Sequence, residues 1–405
     1  MSTSLQSSAK NIIALQDPSV ATQQARVTSS HAIAGLRFIA SILIVLDHFH
    51  YTFWKDSPLP NFTIAVSFFF ILSGYGLTSA FQGKEAPLTL PFVLKRYARL
   101  WPLHFITLLI TAYCMPNVTH LTWESPEALW ILLSNALLIH GWIPIRAWFF
   151  SFNIGSWSMS MLIACYLFFP TYLRVIRSPG KYVLGLILLS LLGLMMTLAW
   201  HCPLFSEGHI SQQGLLYVSP LSRGLEFFIG MLLAQVLNSP QWQQSKISAW
   251  LKRPFSASLL EFSTIALFGL TVFYTQDVRF FSEKLNPLQP LGFYLSFAGI
   301  SLIPCLLLIL IFSQTPTGLF SRLLGSKTMV YLSTLTFGVY LIHIPMLHLY
   351  LYPVALKPHI PQPTALMLIL YFAGLLGISA LSYHFMEKPL YKWGSRQIEK
   401  ISSII

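Results

Sequence analysis

Residues 32–53 read AIAGLRFIASILIVLDHFHYTF, a run that is apolar almost throughout yet carries Arg37, Asp47 and His48. A helix crossing a bilayer needs about 20 mostly apolar residues, so this run is read as a membrane span. Similar runs recur at about 61–82, 100–116, 155–173, 182–200, 218–238, 257–275, 291–313, 329–351 and 364–386. The composition agrees: the 405 residues are 55% hydrophobic, 15% aromatic and 9% charged. A soluble domain carries about 25% charged residues. A porin-like barrel would alternate polar and apolar positions, and these runs do not. The expected fold is therefore all-α, a polytopic membrane helix bundle of about ten transmembrane helices.

Charge decides how an eleventh, weaker candidate is read. Residues 128–142 are short for a span and include Ser134, Asn135 and His140. If they do not cross, eighteen of the 25 Lys and Arg fall in the leader, the alternate loops and the tail on one side, and five fall on the other. That is the positive-inside bias of cytoplasmic loops. The segment is accordingly expected to be re-entrant or interfacial, with both termini cytoplasmic. The net charge of +12 is then a matter of orientation and implies no nucleic-acid partner. Residues 1–31 are expected to be a disordered cytoplasmic leader, 32–390 the transmembrane domain and 391–405 a cytoplasmic tail. No cleavable signal and no internal repeat is evident. Cys114, Cys165, Cys202 and Cys305 are scattered, which fits neither a disulfide framework nor metal-ligand spacing.

Ionisable groups inside a span are costly and point to function. Arg37 and His48 are eleven residues apart, so on a helix they share a face to within about 20° and stand about 16.5 Å apart along the axis. Asp47 points about 100° away from His48 and is not assumed to be its partner. An idle snorkelling Arg and a hydrogen-bonded helix-end His are the bland reading of the same pattern.

The words around these residues change the weighing. Ala34-Gly-Leu-Arg37 followed by Leu46-Asp-His48-Phe resembles the opening signature of the acyltransferase-3 family of integral membrane acyltransferases, an Arg, ten residues and a His. Ser67-Phe-Phe-Phe-Ile-Leu-Ser73-Gly74-Tyr75 is similar to the family's aromatic run ending in Leu-Ser-Gly. Lys95-Arg96-Tyr-Ala-Arg99-Leu-Trp-Pro102 is similar to its RxxR motif. Arg223-Gly-Leu-Glu226-Phe-Phe-Ile-Gly230, Leu332 to His343 (with Gly338 and Tyr340) and Tyr383-His-Phe-Met-Glu387-Lys-Pro389 follow in order. The resemblance runs from about 34 to 390. One segment departs from it: Trp157-Ser158-Met-Ser160-Met continues with Leu162 and Ile163, where the family usually has Glu. Asp47, Glu226 or Glu261 would have to substitute, or acceptor recognition has diverged, or activity is impaired.

The resemblance implies an O-acyltransferase moving an acyl group from cytoplasmic acyl-CoA, acetyl-CoA first, to a hydroxyl of a cell-surface or lipid-linked glycan such as a lipopolysaccharide unit, in a bacterial cytoplasmic membrane. His48 would be the base, since imidazole titrates near neutral pH. Direct transfer and an acyl-imidazole intermediate both stay open. Arg37 would serve catalysis and the donor together. Arg96 and Arg99 would grip the donor's phosphates, because guanidinium binds phosphate bidentately, although positive-inside residues need no ligand. Asp47, Ser73, Trp157, Ser158, Glu226, Tyr340 and His343 are the candidates for substrate contact, with Arg223–Glu226 most simply read as an i, i+3 structural pair. His104, His140 and His384 read as structural. No metal and no permanently bound cofactor is expected; the partners are the donor, the glycan and the bilayer. A glycan or small-molecule exporter, and a non-catalytic relative of the transferases, are the competing readings.

Overall fold

The computed structural model describes residues 18–53, 62–114, 126–284, 289–351 and 363–402, without the side chains of 18–29, 276–284 and a few residues at segment ends. Fourteen helices matter here: α1 (Pro18–Phe53), α2 (Ala65–Ala80), α3 (Thr89–Cys114), α4 (Ala128–Ala136), α5 (Trp157–Ile176), α6 (Gly180–Ala199) and α7 (Pro220–Leu237). They continue with α8 (Pro254–Lys284), α9 (Ile300–Gln314), α10 (Leu319–Leu324), α11 (Lys327–Thr334), α12 (Thr336–Leu351), α13 (Ala365–Ser382) and α14 (Lys388–Ser402). The described residues contain no β-strand, only an isolated bridge between Ile145 and Ile210. Lipid offers the backbone no hydrogen-bond partners, so a spanning chain satisfies its own as helix.

Among the described residues, eight helices are long and apolar enough to cross a membrane, or nine if α11 and α12, bent 56° at Leu335, make one span. The protein is an all-α integral membrane bundle. The expected third span exists as α3, 26 residues long, and Lys95, Arg96, Arg99 and Pro102 make its first half more polar than the other spanning helices. Segment 128–142 forms a helix of nine residues and a 3₁₀ turn at His140–Trp142. At about 1.5 Å per residue α4 is too short to cross. α1 starts at Pro18, inside the stretch expected to be a disordered leader; residues 1–17 lie outside the described residues. Cys165, Cys202 and Cys305 are unpaired.

Two glycines of the sequence motifs set the tightest crossing. A Cβ at Gly74 would collide with the carbonyl of Phe227, and one at Gly230 with the carbonyl of Ile71. α2 and α7 therefore touch backbone to backbone, as small residues permit in membranes. That contact places Ser67 of α2 against Arg223 and Glu226 of α7. Arg223 Nη1 is 2.6 Å from Glu226 Oε1, and both side chains are fully buried. Ser67 Oγ donates to the same carboxylate oxygen at 2.9 Å, and Arg223 Nε donates to the Tyr217 carbonyl at 2.6 Å. The guanidinium lies 4.5 Å from the Tyr217 ring centre and 5.5 Å from that of Trp157.

α12 carries Pro345, which has no N–H to offer the carbonyl four residues back. That carbonyl belongs to Leu341, and the side-chain amide of Asn153 donates to it at 2.9 Å. The Tyr371 hydroxyl donates to the His343 carbonyl at 2.8 Å. The sequence thus weakens α12 around His343, and side chains from the loop before α5 and from α13 hold it in place.

Candidate active site

A cavity of about 900 Å³ runs into the bundle between α1, α2, α3, α5 and α12. Exposed Arg99, Gln82 and Lys252 stand at its rim, and buried Ser158 and Tyr340 at its inner end. Arg37, Arg96 and Arg99, far apart in the chain, all line it. Arg96 is steadied by aromatic faces, 5.1 Å from the Phe92 ring centre and 5.9 Å from that of Tyr166. Among the described residues no carboxylate lines the cavity, whereas Arg37, Arg96, Arg99 and Lys252 do. Glu387 interacts with Arg99 from outside the lining, and the group of cations left in a partly desolvated cleft favours an anionic ligand.

At the inner end the Ser158 and Tyr340 hydroxyls are hydrogen-bonded at 2.9 Å, and Ser158 Oγ is also 3.1 Å from the Gly155 carbonyl oxygen. The Tyr340 ring centre is 5.9 Å from that of His343. Behind Tyr340, His343 Nε2 stands 3.3 Å from His48 Nδ1, with ring centres 5.0 Å apart. Each imidazole also meets a carbonyl of its own helix: His48 Nδ1 is 2.9 Å from Ile44 O, and His343 Nδ1 is 3.2 Å from Val339 O. His343 is fully buried and His48 half-buried. Neither imidazole lines the cavity; Tyr340 stands between the cavity and the pair. The shared-face spacing of Arg37 and His48 thus leads from a cationic cavity at one end to an imidazole pair at the other.

Of the residues expected from sequence, Arg37, Ser73, Arg96, Arg99, Ser158 and Tyr340 line the cavity, and His48 and His343 meet just beyond it. Three others sit elsewhere. The Asp47 carboxylate accepts from the Phe62 backbone N–H at 2.9 Å, fastening the 3₁₀ turn that leads into α2. Glu226 is closed inside its pair with Arg223. Trp157 is buried against Tyr217, ring centres 5.0 Å apart.

The expected replacements for the family's Glu are all engaged as well. Besides Asp47 and Glu226, Glu261 accepts from Phe320 N at 2.9 Å and from Thr315 Oγ1 at 2.9 Å, and sits where a Cβ at Gly318 would be. It ties α8 to the start of α10. Leu162 itself lines the cavity and Ile163 is buried. Where the resemblance leads to an expected acid, this chain has an apolar wall. Sequence reasoning passed over Lys252, Gln82, Asn238, Gln243 and Gln314, which also line the cavity. The charge bias alone accounts for Lys252, the neutral amides carry no such signal, and only their convergence distinguishes them.

Comparison with known proteins gives the family. Residues 30–384 match the family described as an acyltransferase domain. The chain is 25% identical to the acyltransferase MdmB of Streptomyces mycarofaciens over 334 residues, 78% of this chain and 79% of that protein. It is 26% identical to the peptidoglycan O-acetyltransferase OatA of Listeria monocytogenes over 389 residues, 90% of this chain but 56% of that protein. The putative peptidoglycan O-acetyltransferase YrhL of Bacillus subtilis is 24% identical over 396 residues, covering 90% and 55% respectively. The chain thus spans little more than half the length of those two relatives. No solved structure matches it. A match over most of the chain, on the helices that build the cavity and the imidazole pair, places this protein in the acyltransferase-3 family of integral membrane O-acyltransferases.

Proposed function

We propose that the protein transfers an acyl group, acetyl in the first instance, from acyl-CoA held in the cationic cavity to a hydroxyl of a lipid-linked or surface glycan reaching His48 from the opposite side. The observation that carries this reading is the cavity itself: four cations, no carboxylate among the described residues, and an inner end that stops one aromatic ring short of His343. Acyl-CoA is a polyanion at its nucleotide end and neutral at its thioester, which matches a cationic rim and an uncharged inner wall.

In the reaction His48 takes the proton of the acceptor hydroxyl as the oxygen attacks the thioester carbonyl. The C–O bond forms, the C–S bond breaks, and His48 returns the proton to the thiolate, giving ester and free CoA. The Tyr340 hydroxyl, which lines the inner end of the cavity, is suited to stabilise the carbonyl oxygen as charge builds there. A direct transfer needs nothing further from the chain.

We place the cavity rim on the cytoplasmic face with both termini, because the basic loops and tail lie on the rim side of a ten-span topology. The membrane is taken as a bacterial cytoplasmic membrane, where acyl-CoA is available on one face and glycan on the other. An exporter would need a passage wide enough for its whole cargo, and Tyr340 stands at the inner end of the cavity, where a transferase has only an acyl group to hand on. MdmB is named an acyltransferase and OatA and YrhL peptidoglycan O-acetyltransferases, YrhL putatively, which supports acyl transfer as the reading for this chain.

The test is reconstitution of the full chain with acetyl-CoA and the glycan extract of its source membrane, reading thiol release and, by mass spectrometry, ester gained by the glycan. Thiol release that requires the extract supports the reading; ester-free glycan with acetyl-CoA left intact sinks it. Replacing both Arg96 and Arg99 by Gln is expected to raise the donor KM by at least about tenfold, since each charge-assisted contact is worth roughly 1.5–3 kcal/mol. An unchanged donor KM would return both arginines to topology alone. Leu162→Glu is expected to lower transfer, because a carboxylate in an apolar wall must be desolvated. A gain in rate would show instead an active site impaired for want of an acid.

A further inference from the structure

The reading above gives His48 a proton to take but no acid to orient it, since Asp47, Glu226 and Glu261 are all engaged elsewhere. A base ring in a helix needs its lone pair aimed, and in Ser-His-Asp sites a carboxylate on the other ring nitrogen does this. Here the other nitrogen meets a second imidazole.

The tautomers follow from the acceptors. A carbonyl oxygen only accepts. His343 Nδ1 faces Val339 O at 3.2 Å, so it carries the hydrogen, and in the neutral ring His343 Nε2 is bare. His48 Nδ1 faces Ile44 O at 2.9 Å and His343 Nε2 at 3.3 Å, two acceptors, so it too carries the hydrogen. The lone pair of His48 is then confined to Nε2. When Nε2 takes a proton from the acceptor hydroxyl, both His48 nitrogens bear hydrogens, and the positive ring donates from Nδ1 to Ile44 O and His343 Nε2. His343 is itself fixed from behind by its buried position and by the Tyr371 hydroxyl on its carbonyl, 2.8 Å away. Asn153 holds the adjacent Leu341 carbonyl that Pro345 leaves open.

We infer that His343 is a positioning residue that acts through His48, its bare Nε2 replacing the orienting carboxylate of a catalytic triad. It rests on His48 as the base. The proton it steers is the one passed from acceptor oxygen to His48 Nε2 and on to the departing thiolate, and His343 neither gains nor loses one overall. The Nδ1-protonated form is required, and a side chain that can only accept near the Nε2 position suffices.

The experiment uses the full chain, reconstituted with acetyl-CoA and the source glycan extract, and compares His343→Leu, His343→Gln, His48→Ala and the double variant His48→Ala/His343→Leu. His343→Leu is expected to lower kcat at least about tenfold with donor KM unchanged, because His343 does not line the cavity. His343→Gln, whose amide oxygen accepts near the lost Nε2, is expected to recover most of that loss. The double variant should be no slower than His48→Ala alone, since a ring that acts through His48 has nothing to orient once His48 is gone. A His343→Leu protein at wild-type kcat overturns the inference, as does a Gln variant no better than Leu or a double variant slower still. Full activity in His48→Ala would instead overturn the base assignment beneath it. A thermal melt of each purified variant separates lost orientation from lost fold. Loss of fold in His343→Leu leaves the Gln variant to decide, with wild-type kcat supporting the inference and a kcat lowered tenfold refuting it.

Discussion

His48→Ala, inserted and purified at wild-type yield, is expected to transfer acyl groups about 10²–10⁴-fold more slowly, the usual cost of losing a general base. The expectation rests on placement. His48 is half-buried, paired with His343 at 3.3 Å, and on the same helix as the cavity-lining Arg37. A histidine that merely filled space near a helix end would cost a fraction of the rate, through stability alone. Thiol release measured against acetyl-CoA, with glycan ester counted by mass spectrometry, is the check. Retention of more than about a tenth of the wild-type rate in a folded protein would remove His48 from the base role.

The largest expected effect on stability lies elsewhere. Arg223→Ala strips the partner from a Glu226 carboxylate that is fully buried, with Ser67 its remaining donor. Breaking one side of a buried pair costs about 3–5 kcal/mol, whereas replacing both members by apolar residues of similar volume is often neutral or stabilising. Arg223→Ala should therefore give little folded protein, and the double variant Arg223→Met/Glu226→Leu should recover it. Detergent melting curves and yields decide this. Activity of the double variant decides more. If it is folded and active, Glu226 is an internal brace of the α2–α7 crossing. If it is folded and inactive, the substrate contact expected from sequence is right, and the seal around Glu226 opens in the working enzyme.

The membrane bundle was legible because lipid imposes a simple rule: about 20 apolar residues in a row, with basic residues gathered on one side. That rule located the helices and excluded 128–142 as a span, and α4 is indeed nine residues long. It misjudged where α1 begins, since hydropathy marks where lipid starts and the helix runs on to Pro18. The motif spacing named His48, Arg37, Arg96 and Arg99 without a structure. Periodicity could place Arg37 and His48 on one face because both belong to one helix.

What joins different helices was beyond that reach. Nothing in the sequence distance between His48 and His343 says that their rings meet, because the approach depends on how α12 leans on α1, and α12 is held by Asn153 and Tyr371 from elsewhere in the chain. For the same reason the carboxylates could not be sorted by sequence. Asp47, Glu226 and Glu261 are equally acidic and equally close to apolar runs, yet each is spent on a helix end or a guanidinium that only the packed bundle brings near. The sequence by itself determined that the chain lives in a membrane and which residue types it places there, since solvation acts residue by residue. Which of those residues share a site was decided by the tertiary structure, because contact across the bundle is set by backbone approaches such as Gly74 on Phe227 and Gly230 on Ile71, between helices far apart in the chain.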